Sequence, residues 1–483
     1  MLLFALSLLA HPIVLGLVQR DAELALERRL AALVSEQRAS TSVRELVQLG
    51  PRMGGTASGQ RAVEWRERAF DALTLQTEVF DGDEAWAHEE LGWSVQAHLS
   101  GAPESDGTPG TTARVIDLER AWPYGFSPSA KGRALLGLEP QAGAAWLCQR
   151  TPRRARDGDG PALTLVDGQA TPGGEWPVVR HLGRGDGNPA PVFGLSEPDG
   201  AALRAALAAG ERVEIEYELS ARIQRARPRT VVASLPARAG AAPGFLLFCA
   251  HGDSDAGGPG ANDNGSGEAI VLEIATAWSR AVASGCVPAP AREVRFALWG
   301  SEIASTRHYL KRIEEGQTPL LGVVNFDQAG FGSGADLLFM EPDELPGNKV
   351  LIEHMLSVLE DHRGQDGFPE RWATNPSQGG TDSYVFSSSR SFRETPRPAL
   401  TLYASAWDHA QEVPRSPQRP GESWNDADVV HIDYDIHYHS AGDLPANTTD
   451  LEPWNMGWIA RVALLGTRRW LESASMPSPS TPR

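Results

Sequence analysis

The sequence predicts an α/β protein: a mostly parallel central sheet with helices on both faces, and a β-rich domain inserted into it. Three features predict this. From residue 230 onward, strand-like apolar runs alternate with helical patterns. Between about 85 and 230 that rhythm gives way to short strands among Pro- and Gly-rich loops. The residues best suited to hold a metal stand just beyond strand-like runs, and open α/β sheets bind ligands beyond the carboxyl ends of their strands.

The elements follow in chain order. The first 18 residues, MLLFALSLLAHPIVLGLV, are apolar apart from Ser7 and His11. A membrane-spanning helix needs ~20 apolar residues, and Pro12 interrupts this run. No Lys or Arg precedes it and no small-x-small cleavage site is evident. Residues 1–19 therefore read as an imperfect signal peptide or an N-terminal membrane anchor, with a buried first helix as the alternative, and the chain reads as exported. Leu24, Leu26, Leu30, Leu33 and Val34 recur at helical spacing, which predicts a helix over 20–37. A Gly-rich turn then leads into a helix with Val63, Phe70 and Leu73 on one face.

In the inserted stretch, "SVQAHL", "TARVIDL", "ALTLVD" and "RVEIEYEL" read as strands, and "EPDGAALRAALAAG" as a helix with a Gly stop. Beyond it, "TVVASL", "FLLFCA", "VRFALWG", "LGVVNF" and "ALTLYAS" read as strands. "SGEAIVLEIATAWSRAV", "NKVLIEHMLSVLEDH" and "WNMGWIARVALLGTRRWLE" read as helices. Residues 20–84 and 231–475 are thus expected to form one domain, interrupted by 85–230, and the 476–483 tail is expected to be disordered.

Composition bounds the function classes. A chain of 483 residues implies two or three units, and its 41% hydrophobic and 22% charged content is globular. The formal charge of −18, with no basic stripe, argues against nucleic acid and anionic membrane as partners. Cys148, Cys249 and Cys286 are too few for a disulfide framework. Cys249 reads as a small buried hydrophobe, and one bridge among the three stays open. Nothing in the sequence specifies an oligomeric state.

The chemistry-bearing residues are spread along the chain. "FLLFCA" ends at His251, and Asp253 stands two residues on, placed to receive the other ring N–H of a metal-bound imidazole. The Gly-rich "GGPGANDNGSG" carries Asp263, with Ser266 as a plausible cap of the next helix. "VRFALWG" runs into Ser301 and Glu302, and "LGVVNF" into Asp327. "IHYHSAGD" supplies His437 and His439; alternation puts both on one face, and Asp443 is placed to orient His439. Each has a plainer reading: a turn residue for Asp253, a helix first-turn acid for Glu302, a strand-end cap for Asp327. Imidazoles and carboxylates without thiolates suit Zn²⁺ or a similar borderline cation. Glu302 is placed to take a proton from a water and carry it to a leaving amine.

Taken together these strings resemble the zinc-dependent exopeptidase family of bacterial leucyl aminopeptidase, plasma glutamate carboxypeptidase and glutaminyl cyclase. "HGDSDAGGPGANDNGSGEAIVLEIA", "VRFALWGSE", "VVNFDQAG" and "YHSAGDLPANTTDLEPWNMGWIARVAL" carry the resemblance, in family order, and "LGPRMGGTASGQRAVEW" resembles its opening. The inserted stretch, with "PVFGLSEPDGAALRAAL", looks like a protease-associated domain. The resemblance implies two zincs bridged by Asp263: one site of His251, Asp263 and Asp327, the other of Asp263, His439 and a Glu. A water between the ions would attack the peptide carbonyl, and Glu302 would be the general base.

The family pattern has two adjacent glutamates after the "W-G-x" strand, whereas here Ile303 follows Glu302. Anchored on "WGS", Glu302 is the base and the second site lacks a carboxylate; the alternative makes Glu302 a ligand and leaves no base. Ser383 replaces a family His, next to Asp382, which could matter for substrate. The expected function is therefore a metal-dependent exopeptidase, an aminopeptidase acting on peptides with one or two Zn²⁺ ions. The alternatives are a single-zinc amide hydrolase or glutaminyl cyclase-like enzyme, and an inactive peptide-binding homologue.

Overall fold

The computed structural model describes residues 20–101, 110–151, 160–254, 257–316, 318–332, 337–377, 379–406, 411–414, 429–432 and 434–473. Two eight-stranded sheets dominate. The first has the order Gln76–Asp81, Arg229–Leu235, Glu293–Trp299, Phe245–His251, Leu320–Phe326, Ala399–Tyr403, Leu337–Glu341, Arg371–Thr374. Its four middle strands, Glu293–Trp299 to Ala399–Tyr403, run parallel, and antiparallel pairings flank them on either side.

Strand Phe245–His251 has every residue buried. Leu246, Phe248 and Ala250 enter one core, while Phe245, Leu247 and Cys249 enter another on the opposite face. Side chains alternate across a strand, so a continuous apolar run with both faces covered is what a central parallel strand requires. On the first face Phe248 stacks on Phe296 (centroids 5.9 Å apart) and on Phe326 (6.0 Å), one ring from each neighbouring strand. The buried helices Gly267–Ala283 and Trp454–Glu472 close this face, with Ile270, Ile274, Trp278, Ile459 and Leu464 in the same core. In register, His251 stands beside Trp299, and Cys249 beside Asn325. Three strands thus end together, delivering His251, Glu302 and Asp327 to one edge.

All eight strands of the second sheet fall between Ala85 and Ala226, built around the antiparallel pair Ala85–Gly101 and Arg212–Ala226. Its own core includes Val95, Leu136, Leu165, Phe193 and Ile215. A separate two-stranded ribbon, Gln411–Pro414 with Val429–Ile432, was not anticipated from the sequence.

One helix departs from expectation. The 20–37 pattern is broken: helix ends near Ala31, and a second helix, Glu36–Gln48, starts at Ser35. The Ser35 hydroxyl accepts from Arg38 N–H at 3.2 Å, and its own N–H donates to Glu273 at 2.8 Å. Helical periodicity continued across this break, so only the cap distinguished two helices from one. All three cysteines are free thiols. The 1–19 leader and the 476–483 tail lie outside the described residues. No described helix is long and apolar enough to cross a membrane.

Beneath the sheet edge lies a fully buried polar knot. Arg66 donates to Glu268 through Nε (2.6 Å) and Nη2 (2.9 Å), and Arg52 sits 3.8 Å from the same carboxylate. Glu268→Ala would leave two guanidinium groups sharing no counter-charge in a dry interior. It is expected to destabilise the fold by about 3–5 kcal/mol, measured as a lowered midpoint in urea unfolding.

Candidate metal centre and general base

Three donor atoms converge at the carboxyl edge of the parallel strands. His251 Nε2 lies 3.3 Å from Asp263 Oδ1 and 3.5 Å from Asp327 Oδ1. Ligands ~2.1 Å from a tetrahedral ion stand about 3.4 Å apart, so these separations fit a small divalent cation without rearrangement. All three residues are buried, and Asp327 Oδ1 has no hydrogen-bond partner. The other oxygen of Asp327 accepts from the Thr381 hydroxyl at 2.7 Å, which is fixed in turn by Asn325 Nδ2 at 2.8 Å. His251 Nδ1 lies 3.0 Å from the backbone oxygen of Asp253 and 3.5 Å from its carboxylate. With Nδ1–H donating to that oxygen, Nε2 is left as the ligand atom.

Asp263 is carried by an irregular loop, Ala261–Ser266, between that strand and the helix Gly267–Ala283. Its two carboxylate oxygens face different histidines: Oδ1 toward His251, and Oδ2 toward His439 Nε2 at 3.1 Å. This is the geometry of a carboxylate able to bridge two positions. Asp443 sets its direction by accepting from the backbone N–H of Asn262 (2.7 Å) and Asp263 (3.0 Å). Gly260 makes the approach possible: its φ is +65°, and a Cβ there would stand 2.7 Å from Asp263 O.

Glu302 lines the cleft in front of these residues. Its backbone N–H donates to Asp253 Oδ1 at 2.9 Å, and the next N–H, of Ile303, donates to Asp382 Oδ1 at 2.9 Å. Two buried carboxylates therefore hold two consecutive amides, and Ile303 takes the left-handed φ of +54° between them. Asp382 also accepts from the Thr306 hydroxyl at 2.5 Å, while its Oδ2 has no partner.

The electrostatics follow from so many acids at one place. Removal from water pushes the Glu302 carboxyl well above its ordinary range; His251 opposes this, and Asp382, Asp327 and Asp263 add to it. Burial alone would lower His251, but Asp327, Glu302, Asp253 and Asp263 outweigh it and raise the imidazole well above its usual value. Asp263 moves down despite its burial, because both histidines hold its charge. Burial lifts Asp382 and Asp435 to about 6. A bound cation would oppose the rise of Glu302, Asp382 and Asp435 and add to the fall of Asp263.

Residues 230–464 match the model of peptidase family M28. This M28-like segment makes up just under half of the chain. His251, Asp253, Asp263, Glu302, Asp327 and His439 all fall inside the M28 segment. Leucine aminopeptidase 2 of Trichophyton equinum is 24% identical over 310 residues, covering 62% of this chain and 56% of that protein. The match thus spans just over half the length of this curated relative. Among solved structures, a peptidase M28 precursor from Shewanella amazonensis aligns with TM-score 0.58 and 16% identity, over 96% of this chain and 100% of its own. A zinc aminopeptidase from Bacillus subtilis aligns with TM-score 0.54 and 18% identity, over 93% and 98%. At these identities the likeness is one of fold.

Several local expectations are corrected within the M28 segment. Ser266 does not cap the helix with its side chain; its hydroxyl donates to Asn262 O at 2.7 Å, and Asn264 Oδ1 accepts from Gly267 N–H at 3.0 Å. His437 and His439 do not alternate on a strand, because this stretch is a turn in which His439 has φ +49°. Asp443 holds the Asp263 loop by accepting from two of its backbone N–H groups. Among the described residues, His251, Asp263 and Asp327 are the single group of three such donors, so no carboxylate joins Asp263 and His439 to complete a second set. Sequence reading missed Thr381 and undervalued Asp382, although the neighbouring Ser383 was noted.

Metal uptake by metal-free protein is expected to release about one proton per ion at pH 7. The surrounding carboxylates favour the charged His251 ring, and ligation needs the neutral one, so affinity falls as pH is lowered. Calorimetric titration in buffers of different ionisation enthalpy reads this directly. Thr381→Val, which removes the hydroxyl held against Asp327, is expected to weaken the ion about 10–100-fold.

Proposed function

We propose that this chain is a zinc-dependent exopeptidase, an aminopeptidase that hydrolyses peptides with Glu302 as general base. The observation that carries this is the placement of Asp263 between His251 and His439, with Asp327 beside His251 and Glu302 lining the same cleft. The relatives named leucine aminopeptidase and zinc aminopeptidase support the same reaction and metal. His251, Asp263 and Asp327 would hold the ion, and His439 faces the second oxygen of Asp263. The metal, when bound, polarises the peptide carbonyl and eases deprotonation of the attacking water.

The chain's own residues do the rest. Glu302, its backbone fixed by Asp253 and its neighbour by Asp382, accepts the proton of the water and passes it to the departing amine. Asp253 keeps His251 in the tautomer that frees Nε2. Thr381 fixes the second oxygen of Asp327. The cleft walls bring the peptide to this edge and displace bulk water from it.

The one three-donor group among the described residues favours a single tightly held ion, and Asp263 with His439 would hold a second one more weakly. The inserted 85–230 stretch is proposed as a protease-associated-like domain, and export is proposed on the apolar 1–18 run.

Glu302→Gln is expected to lower kcat about 10²–10⁴-fold with zinc content unchanged, measured on a leucyl peptide series beside elemental analysis. Retained turnover in that variant would sink the assignment of Glu302. Dialysis against a weak chelator is expected to leave one zinc per chain; two retained ions would mean that a further residue completes the second set.

A further inference from the structure

The cleft in front of Glu302 has a volume of about 310 Å³ and two walls. The first sheet's unit contributes Glu302 and Arg307. The second sheet's unit contributes Trp86, Phe126, His181 and Arg184. Several arginines on this acidic surface are paired: Arg225 with Glu84 at 2.7 Å, Arg133 with Glu216 at 2.5 Å, and Arg312 with Glu78. Arg184 and Arg307 are exposed, and among the described residues neither side chain has a hydrogen-bond or ion-pair partner.

Arg184 is also held in place. Its loop is pinned to the 125–126 segment by Leu182 N–H on Gly125 O and Gly125 N–H on Arg180 O, both 2.9 Å. The buried Asn188 amide donates to Phe126 O (2.9 Å) and Gly183 O (2.8 Å). Gly185, with φ +113°, lies flat against Trp86, where a Cβ would come within 3.4 Å of the ring. Arg307 sits in the first turn of the helix Ala304–Glu315, whose start is fixed by Asp382. Two arginines on fixed backbone, unpaired among the described residues, thus line one small cleft in a protein of net charge −18.

We infer that Arg184 and Arg307 form a carboxylate-binding subsite, so that the cleft prefers short peptides bearing a carboxylate near the scissile bond. The inference rests on reading this cleft as a peptide site. A guanidinium recognises a carboxylate through paired, charge-assisted hydrogen bonds. A cleft at the small end of ligand pockets suits a di- or tripeptide. The carboxylate comes either from the free C-terminus of such a peptide or from an Asp or Glu side chain.

Four peptides separate these sources: Ala-Ala and its amide, then Ala-Glu-amide and Ala-Gln-amide. Affinity is read by calorimetry on zinc-loaded Glu302→Gln protein, with and without Arg184→Gln and Arg307→Gln. One acid member is expected to bind about tenfold tighter than its neutral partner. That preference is expected to vanish when both arginines are replaced. A preference within the Ala-Ala pair assigns the C-terminus, and one within the Glu/Gln pair assigns the side chain. Equal affinities in both pairs, or a preference that survives loss of both arginines, would overturn the subsite. Turnover of the same peptides by the native protein tests the peptidase reading separately, since binding is scored whether or not they are cleaved.

Discussion

Irregular backbone can be buried only if every polar group along it finds a partner inside the protein, and residues 252–254 and 257–266 live under that constraint. Arg52 meets part of it. Fully buried, it donates to Gly252 O at 3.0 Å, Pro259 O at 2.9 Å and Gly260 O at 2.7 Å. Asp443 accepts the N–H groups of Asn262 and Asp263, and Asn264 bonds both Phe326 O (2.8 Å) and Gly267 N–H. Glu268 is the counter-charge for Arg52 and Arg66, and Arg66 Nη2 returns to Gly252 O at 3.0 Å. The position of Asp263, and through it of the whole candidate centre, is set by this network rather than by a regular element.

The second constraint is charge. Asp263, Asp327, Glu302, Asp382, Asp435 and Asp443 crowd around two histidines on one edge of a sheet. Burial pushes Glu302 and Asp443 well above their ordinary range, so the cluster is electrostatically unfavourable by itself. Such a cluster is the environment in which a divalent cation is most strongly held. Its carboxylate and imidazole chemistry matches a borderline ion.

The second sheet's unit does more than cover the site. Val179 N–H donates to His439 O at 2.7 Å, and Ala441 N–H donates to Pro177 O at 3.0 Å. Trp176 packs over Gly442, and Trp122 Nε1 donates to Gly257 O at 3.2 Å. The turn that carries His439 and the loop that leads to Asp263 are therefore braced from outside the M28 segment. Both walls of the cleft and one face of the centre depend on how the two sheets meet.

The sequence by itself determined the elements and most of the site's membership. Continuous apolar runs such as "FLLFCA" and "LGVVNF" are legible because a strand buried on both faces needs them. His251, Asp263, Glu302, Asp327 and His439 were legible because strand ends and Gly-rich loops are where such a fold exposes side chains. What it left open was decided by tertiary structure. Periodicity could not choose between His437 and His439, because a turn with φ +49°, not a strand, points one ring at Asp263. Spacing could not show that Asp443 serves backbone amides some 180 residues earlier. Thr381, Arg52 and the pairing of Arg184 with Arg307 carried no local signal, since hydrogen bonds and electric fields act through space and not along the chain.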